Sequence, residues 1–168
     1  MSESRSYNVL FLCTGNSARS ILAEALLNHH GKGRFKAYSA GSHPTGAVNP
    51  MTLRVLEEAG LPTAGLRSKS WDEFIAAGAS PIDFVITVCD KAAAEPCPVW
   101  PGHPAMAHWG IADPVGVEGD EDKRLQAFRE TLRLMDQRVR LFLSLPIERL
   151  ARKQLHEELQ RIGREAGA

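Results

Sequence analysis

The segment Cys13-Thr-Gly-Asn-Ser-Ala-Arg-Ser20 sets a thiol and a guanidinium apart by five small residues. Thr14, Gly15, Asn16, Ser17 and Ala18 let the backbone curl so that several N–H groups turn inward. A helix beginning at the end of such a loop adds its own free N–H groups and the positive end of its dipole. Together they make a cradle for a tetrahedral oxyanion. Arg19 can hold two anion oxygens through its planar fork, which a lysine cannot. The same positive field is expected to lower the pKa of Cys13 and make it a nucleophile at neutral pH. Ser20 can donate a further hydrogen bond to the sulfur, and Asn16 can pin the loop. The plainer alternative is a strand that ends in a buried cysteine, with Arg19 a solvated helix residue. The strand–loop–helix setting and the serine directly after Arg19 favour the cradle. Neither the G-K-[ST] ending of a nucleotide P-loop nor a G-x-G-x-x-G pattern is present.

Adduct chemistry on a bound oxyanion needs a proton donor for the departing oxygen, and Asp113-Pro114 supplies a carboxyl on a stiffened turn. Two more thiols follow the third strand pattern. Cys89 and Cys97 have seven residues between them, a layout that suits a relay in which one thiol attacks an activated sulfur and another resolves it. The alternative is a core cysteine plus an incidental loop cysteine. A zinc site on Cys89, Cys97, His103 and His108 would have the spacing C-x7-C-x5-H-x4-H, which matches no common structural site, so no metal is expected. His29, His30, His43 and His156 read as helix-end or surface residues.

The elements that must position these groups alternate in type. Residues 8–12 and 83–88 are continuous apolar runs, the pattern of strands buried on both faces. Residues 35–39 and 105–109 read as two shorter strands. Helices are expected over 21–28, from an Asn49 cap and Pro50 to Gly60, and from an Asp120 cap to Pro146. The last carries an apolar stripe of Leu125, Phe128, Leu132, Met135, Val139 and Phe142 at helical spacing. Residues 147–162 read as a further amphipathic helix, of a packing or dimer-contact kind. Strand–helix alternation predicts an α/β fold around a parallel sheet of four strands. In such a sheet Cys13, Cys89 and Asp113 all follow strands, and so fall on the edge where ligands bind. The expected organisation is a catalytic α/β domain over 1–145 and a C-terminal helical extension over 146–168 packed on or beside it.

Composition narrows the function. The 168 residues carry 20 basic and 20 acidic side chains, so no global field attracts nucleic acid or an anionic membrane. No apolar run approaches the ~20 residues of a membrane span. The polar opening Met1-Ser-Glu-Ser-Arg-Ser-Tyr7 lacks the pattern of a signal peptide, and a cytoplasmic location is expected. Three cysteines, an odd number, suggest reactive thiols rather than structural bridges.

The Cys13–Ser20 loop, the segment Tyr38-Ser-Ala-Gly41 and Asp113-Pro114 together resemble the low-molecular-weight protein tyrosine phosphatase superfamily. Within it, Cys13-Thr-Gly-Asn-Ser17, Val88-Cys89 and His108-Trp-Gly-Ile-Ala-Asp-Pro114 are similar to the thiol-dependent arsenate reductases, over residues 7 to about 143. The resemblance implies a three-layer fold, a four-stranded parallel sheet flanked by helices. It implies that residues 14–20 bind arsenate, with phosphate or sulfate as competing anions, and that Cys13 forms a covalent adduct held by Arg19. Asp113 would protonate the departing hydroxyl, Cys89 would expel arsenite, and Cys97 would leave a disulfide with Cys89. It implies no tightly bound cofactor but an external thiol reductant, either thioredoxin or glutathione with glutaredoxin, and a monomer or weak homodimer. Some reductases hold potassium on residues matching Asn16, Glu24 and Ser39; the further aspartate of that site has no counterpart among Arg67 to Ser70. Ala18 replaces a second loop cysteine found in many relatives. The competing reading is a tyrosine phosphatase with the same cradle, against which stand Val115-Gly116 in place of aromatic residues and the extra cysteines. A third is a non-catalytic anion or redox sensor, which would not need Asp113.

Overall fold

The computed structural model describes residues 6–75, 81–89 and 104–165. Four parallel strands, β1 (Tyr7–Cys13), β2 (Phe35–Gly41), β3 (Phe84–Thr87) and β4 (Ala105–His108), form one sheet in the order β2-β1-β3-β4. Among the described residues four helices flank it: α1 (Arg19–His30), α2 (Pro50–Glu58), α3 (Glu121–Leu143) and α4 (Arg152–Glu165). The α/β, four-stranded expectation is met.

Period-two alternation divides β1 between two cores. Val9, Phe11 and Cys13 face the larger one, which α1, α3 and α4 close with Ile21, Leu22, Phe128, Met135, Phe142 and Leu159. Leu10 and Leu12 face the other, with Ala40, Ile82 and Val85, under Tyr38 and the 3-10 turn Trp71–Phe74. A strand buried on both faces cannot tolerate polar alternation, which is why the run is continuous in sequence.

The caps fall where the sequence puts them. Asn49 accepts from the Met51 N–H at 2.9 Å ahead of Pro50, and Asp120 accepts from the Lys123 N–H at 2.8 Å. Strands β1 and β2 run longer than the patterns 8–12 and 35–39, because Tyr7, Cys13, Ala40 and Gly41 continue the pairing. The last helix differs more. Residues 147–162 are not one helix: Pro146 is followed by a 3-10 turn, Ile147–Arg149, then by extended Leu150. Helix α4 starts afresh at Arg152, with Gln154 reaching back to the Ala151 N–H at 3.2 Å as a local cap.

Helix α4 lies on β4. Gln160 accepts from the His108 N–H at 3.3 Å, and the Trp109 indole N–H donates to the Leu159 carbonyl at 3.0 Å. Gly163 permits the approach, since a Cβ there would lie 2.3 Å from the His108 oxygen. At the far side of the sheet, Asn28 of α1 engages Ala37 of β2 twice, accepting from its N–H at 2.8 Å and donating to its carbonyl at 3.0 Å.

The strand order reverses direction about β1. The crevice at the carboxyl ends of β1 and β3 is therefore the topological switch point, where ligands bind in open α/β sheets. Cys13 ends β1 and Cys89 follows β3 by two residues.

Candidate active site

The loop after β1 is shaped from outside. The carbonyls of Cys13, Thr14, Gly15 and Ser17 accept from the N–H groups of Ser42, His43, Thr45 and Asn49 at 2.9–3.3 Å. Thr52 and Ser68 hydroxyls add bonds to the Ser17 and Gly15 carbonyls. In a trans peptide the next N–H points opposite to its carbonyl. Turning these four carbonyls outward thus turns the N–H groups of Thr14, Gly15, Asn16 and Ala18 inward. Helix α1 then begins with no side-chain cap and no acidic residue in its first turn, leaving its N-terminal donors available to an anion.

Gly41 lets β2 end directly against this loop: a Cβ there would sit 2.4 Å from the Thr14 oxygen. Asn16, fully buried, is the one non-glycine residue at positive φ among the described residues, at 49°. Its Oδ1 accepts from the Lys69 N–H at 2.9 Å, and its amide nitrogen donates to Ser20 at 2.8 Å and Ser39 at 3.0 Å. Asn16 pins the loop, as expected.

Thr14, Gly15, Asn16, Ser17, Ala18, Arg19 and Cys13 line a cavity of about 540 Å³, together with Cys89, Asp113 and Val115. Arg19 donates to the Ile111 carbonyl at 2.9 Å and lies 3.6 Å from Asp113. Asp113 also caps the 3-10 turn Pro114–Gly116, accepting from the Val115 N–H at 3.0 Å, and its side chain remains half exposed. The segment leading to it is anchored upstream, where buried Arg138 donates to the Trp109 carbonyl at 2.8 Å. Ser20 lies behind the loop on Asn16, and Cys97 and His103 lie outside the described residues.

Cys13 and Cys89 are both buried, and their thiols share a hydrogen bond; Thr14 Oγ1 lies 3.6 Å from the Cys89 sulfur. This corrects one expectation. The hydrogen bond with Cys89, then burial, push the Cys13 thiol above its ordinary pKa, against the Arg19 charge and the Thr14 N–H, which pull it down. With the two thiols in contact, ionising both would place two negative charges side by side. The field that the sequence assigns to one sulfur is in fact shared by a pair.

Beneath the loop lies a buried ion pair. Glu24 accepts from the Ser39 hydroxyl at 2.5 Å, and the Lys69 ammonium stands 3.9 Å from Glu24 while donating to the Arg67 carbonyl at 2.9 Å. Burial raises the Glu24 pKa and lowers that of Lys69, and each is opposed by the charge of the other. The residues present therefore do not fit a bound potassium ion. Asn16, Glu24 and Ser39 are gathered, but a lysine ammonium already faces Glu24, the one charged member of the set.

The family model described as "Low molecular weight phosphotyrosine protein phosphatase" matches residues 8–161. The chain belongs to this family. The match takes in most of α4, beyond the residue-143 limit of the motif resemblance. An arsenate reductase of Bacillus licheniformis is 36% identical over 134 residues, covering 80% of this chain and 93% of the relative. The solved structure of an arsenate reductase from Archaeoglobus fulgidus is 33% identical, with a TM-score of 0.58 over 78% of this chain and 98% of that one. A thioredoxin-dependent arsenate reductase of Corynebacterium glutamicum is 26% identical, with a TM-score of 0.56 over 83% of this chain and 65% of that one.

Sequence reasoning missed Lys69, Ser68 and Arg138. The stretch Arg67-Ser-Lys-Ser70 reads as an ordinary polar loop, and nothing local announces that it stitches the cradle. Arg138 left a readable signal, being a charge three residues after Met135 and four before Phe142, on the inward face of α3.

Proposed function

We propose that this chain is an arsenate reductase in which Cys13, Cys89 and Cys97 pass oxidation from the substrate to an external thiol. The observation that carries the reading is a single cavity holding a thiol in an N–H cradle, an arginine, a carboxyl and a second thiol in contact with the first. Its similarity to arsenate reductases at 36% and 33% identity supports the same substrate.

Dihydrogen arsenate enters the cradle, where the inward N–H groups and Arg19 hold its oxygens. Arg19 has five N–H donors, enough to keep its Ile111 bond while gripping an anion. The Cys13 sulfur forms a bond to arsenic while an As–O bond breaks; the proton given up by the Cys13 thiol reaches the departing hydroxyl through Asp113, and water leaves. The Cys89 sulfur then attacks the Cys13 sulfur. The S–As bond breaks with its electron pair on arsenic, which falls from +5 to +3 and leaves as arsenite carrying the Cys89 proton on an oxygen, and the two sulfurs become a disulfide. Cys97 attacks Cys89, returning Cys13 as a thiol and producing a Cys89–Cys97 disulfide that thioredoxin reduces. In a glutathione–glutaredoxin system the small thiol would do the work of Cys97.

Cys13, Arg19 and Asp113 by themselves suffice for slow hydrolysis of a small aryl phosphate. The half-exposed Val115 beside Asp113 offers no aromatic face for a tyrosine ring, which sets phosphatase activity second. The test is arsenate-dependent NADPH oxidation with thioredoxin and its reductase, run beside glutathione with glutaredoxin, and para-nitrophenyl phosphate hydrolysis in parallel. Cys89→Ser is expected to abolish arsenate turnover and spare aryl phosphate hydrolysis. Loss of both, or of neither, would refute the relay.

A further inference from the structure

We infer that the Lys69 ammonium is a tethered counter-ion that positions the oxyanion loop through Glu24, doing from within the chain what a free cation would otherwise do. The inference rests on reading residues 13–20 as an anion cradle. Lys69 reaches that loop twice. Its backbone N–H fixes the side-chain oxygen of Asn16, and its ammonium balances the Glu24 carboxylate. Glu24, as a carboxylate, can only accept, so Ser39 donates to it and must in turn accept from Asn16. The remaining amide hydrogen of Asn16 goes to Ser20 in the first turn of α1. Every donor in this chain has one direction, and Asn16 is held at its unfavourable φ of 49° by those bonds. Both charged side chains are nearly closed off from solvent, at 7% and 13% exposure. Without the ammonium, Glu24 would be a buried carboxylate left only with the weaker field of Arg67, which is itself paired with Glu73, two hydrogen bonds from the backbone that binds the anion. The outer face of Glu24 borders a cavity of about 310 Å³ with Asn28, Lys32 and Gly65, a route by which a small cation can reach the carboxylate once the lysine is shortened.

The experiment uses inorganic phosphate as probe and reads its affinity by calorimetry in chloride salts of potassium, ammonium and choline at equal ionic strength. Wild-type affinity is expected to be the same in all three. Lys69→Ala is expected to bind phosphate at least about tenfold more weakly in choline and to recover in ammonium or potassium. Lys69→Met, which fills the space without a charge, is expected to stay weak in every salt. Adding Glu24→Gln to Lys69→Met removes the need for a cation. That double variant should bind phosphate within a few-fold of wild type regardless of salt, and it keeps the test open if the single variants fail to fold. Potassium tightening wild-type binding would overturn the inference, as would Lys69→Ala binding normally in choline or a double variant as weak as Lys69→Met. Failure of the wild type to bind phosphate at all would instead overturn the cradle reading on which this rests.

Discussion

Gly41→Ala isolates the steric fit between β2 and the anion loop. The added Cβ would stand 2.4 Å from the Thr14 oxygen and 3.1 Å from the Asn16 Cβ, and ordinary contact begins at 3.4 Å. Relief requires a shift of about 1 Å. Neither side can give freely. Gly41 is paired in register with Cys13 and donates to the Lys69 carbonyl at 2.9 Å, while the Thr14 carbonyl is held by His43. The cost should therefore lie at the upper end for overpacking, about 3 kcal/mol. That corresponds to a fall in melting temperature of about 6–12 °C for a domain of this size. The Thr14 peptide carries one of the N–H groups facing the anion, so a 1 Å displacement should also lower kcat/KM about 100-fold. Thermal denaturation and steady-state arsenate reduction measure the two effects. Gly46→Ala serves as the control: its φ is +87° but nothing lies within 4 Å of its Cβ, so only the conformational cost of about 1 kcal/mol applies. A Gly41→Ala protein that melts no lower than Gly46→Ala and turns over within about threefold of wild type would refute the close-approach argument.

Asp113→Asn should slow arsenate reduction and aryl phosphate hydrolysis alike, by about 10²–10⁴-fold, and an unchanged rate in stopped assays would remove it as the proton donor. Cys89→Ala takes away the first cause of the raised Cys13 pKa, so alkylation of Cys13 should titrate at lower pH than in wild type; a shift upward would contradict the shared-proton description. Asn49→Ala removes the cap of α2 and its bond to Met51, with an expected loss of about 1 kcal/mol in urea denaturation. Arsenate KM should rise with it, since a loosened start of α2 shifts the retained residue-49 backbone N–H that holds the Ser17 carbonyl; stability loss with KM untouched would uncouple α2 from the loop.

Strands, caps and the sheet edge shared by Cys13, Cys89 and Asp113 were legible because each follows from local patterning. A doubly buried strand is apolar throughout, Asn-Pro and Asp before a helical stripe mark helix starts, and parallel strands align their carboxyl ends. What escaped detection depends on residues distant in sequence. Lys69 is 53 positions from Asn16, and its role comes from meeting the Asn16 amide and Glu24 only after β2 has docked. The direction of the Cys13 pKa escaped for the same reason, because the loop's own charges were visible in sequence while the contact with Cys89 was not. The break before α4 was half legible: Pro146 marks the interruption, but nothing in the stretch fixes how many residues pass before Gln154 restarts the helix.

The two amide side chains on the outer strands have a consequence beyond packing. A four-stranded parallel sheet leaves two rows of backbone groups on which any passing extended chain can template itself, the usual start of strand-exchanged aggregates. In this protein the row on β2 is occupied at Phe35, Ala37 and Gly41, whose N–H groups go to Gly31, Asn28 and Lys69. On β4 the His108 N–H goes to Gln160, and α4 lies across the strand. Asn28 and Gln160 act as single-residue substitutes for a fifth and a sixth strand. The sheet thereby presents no ready seam for intermolecular β-pairing at these positions.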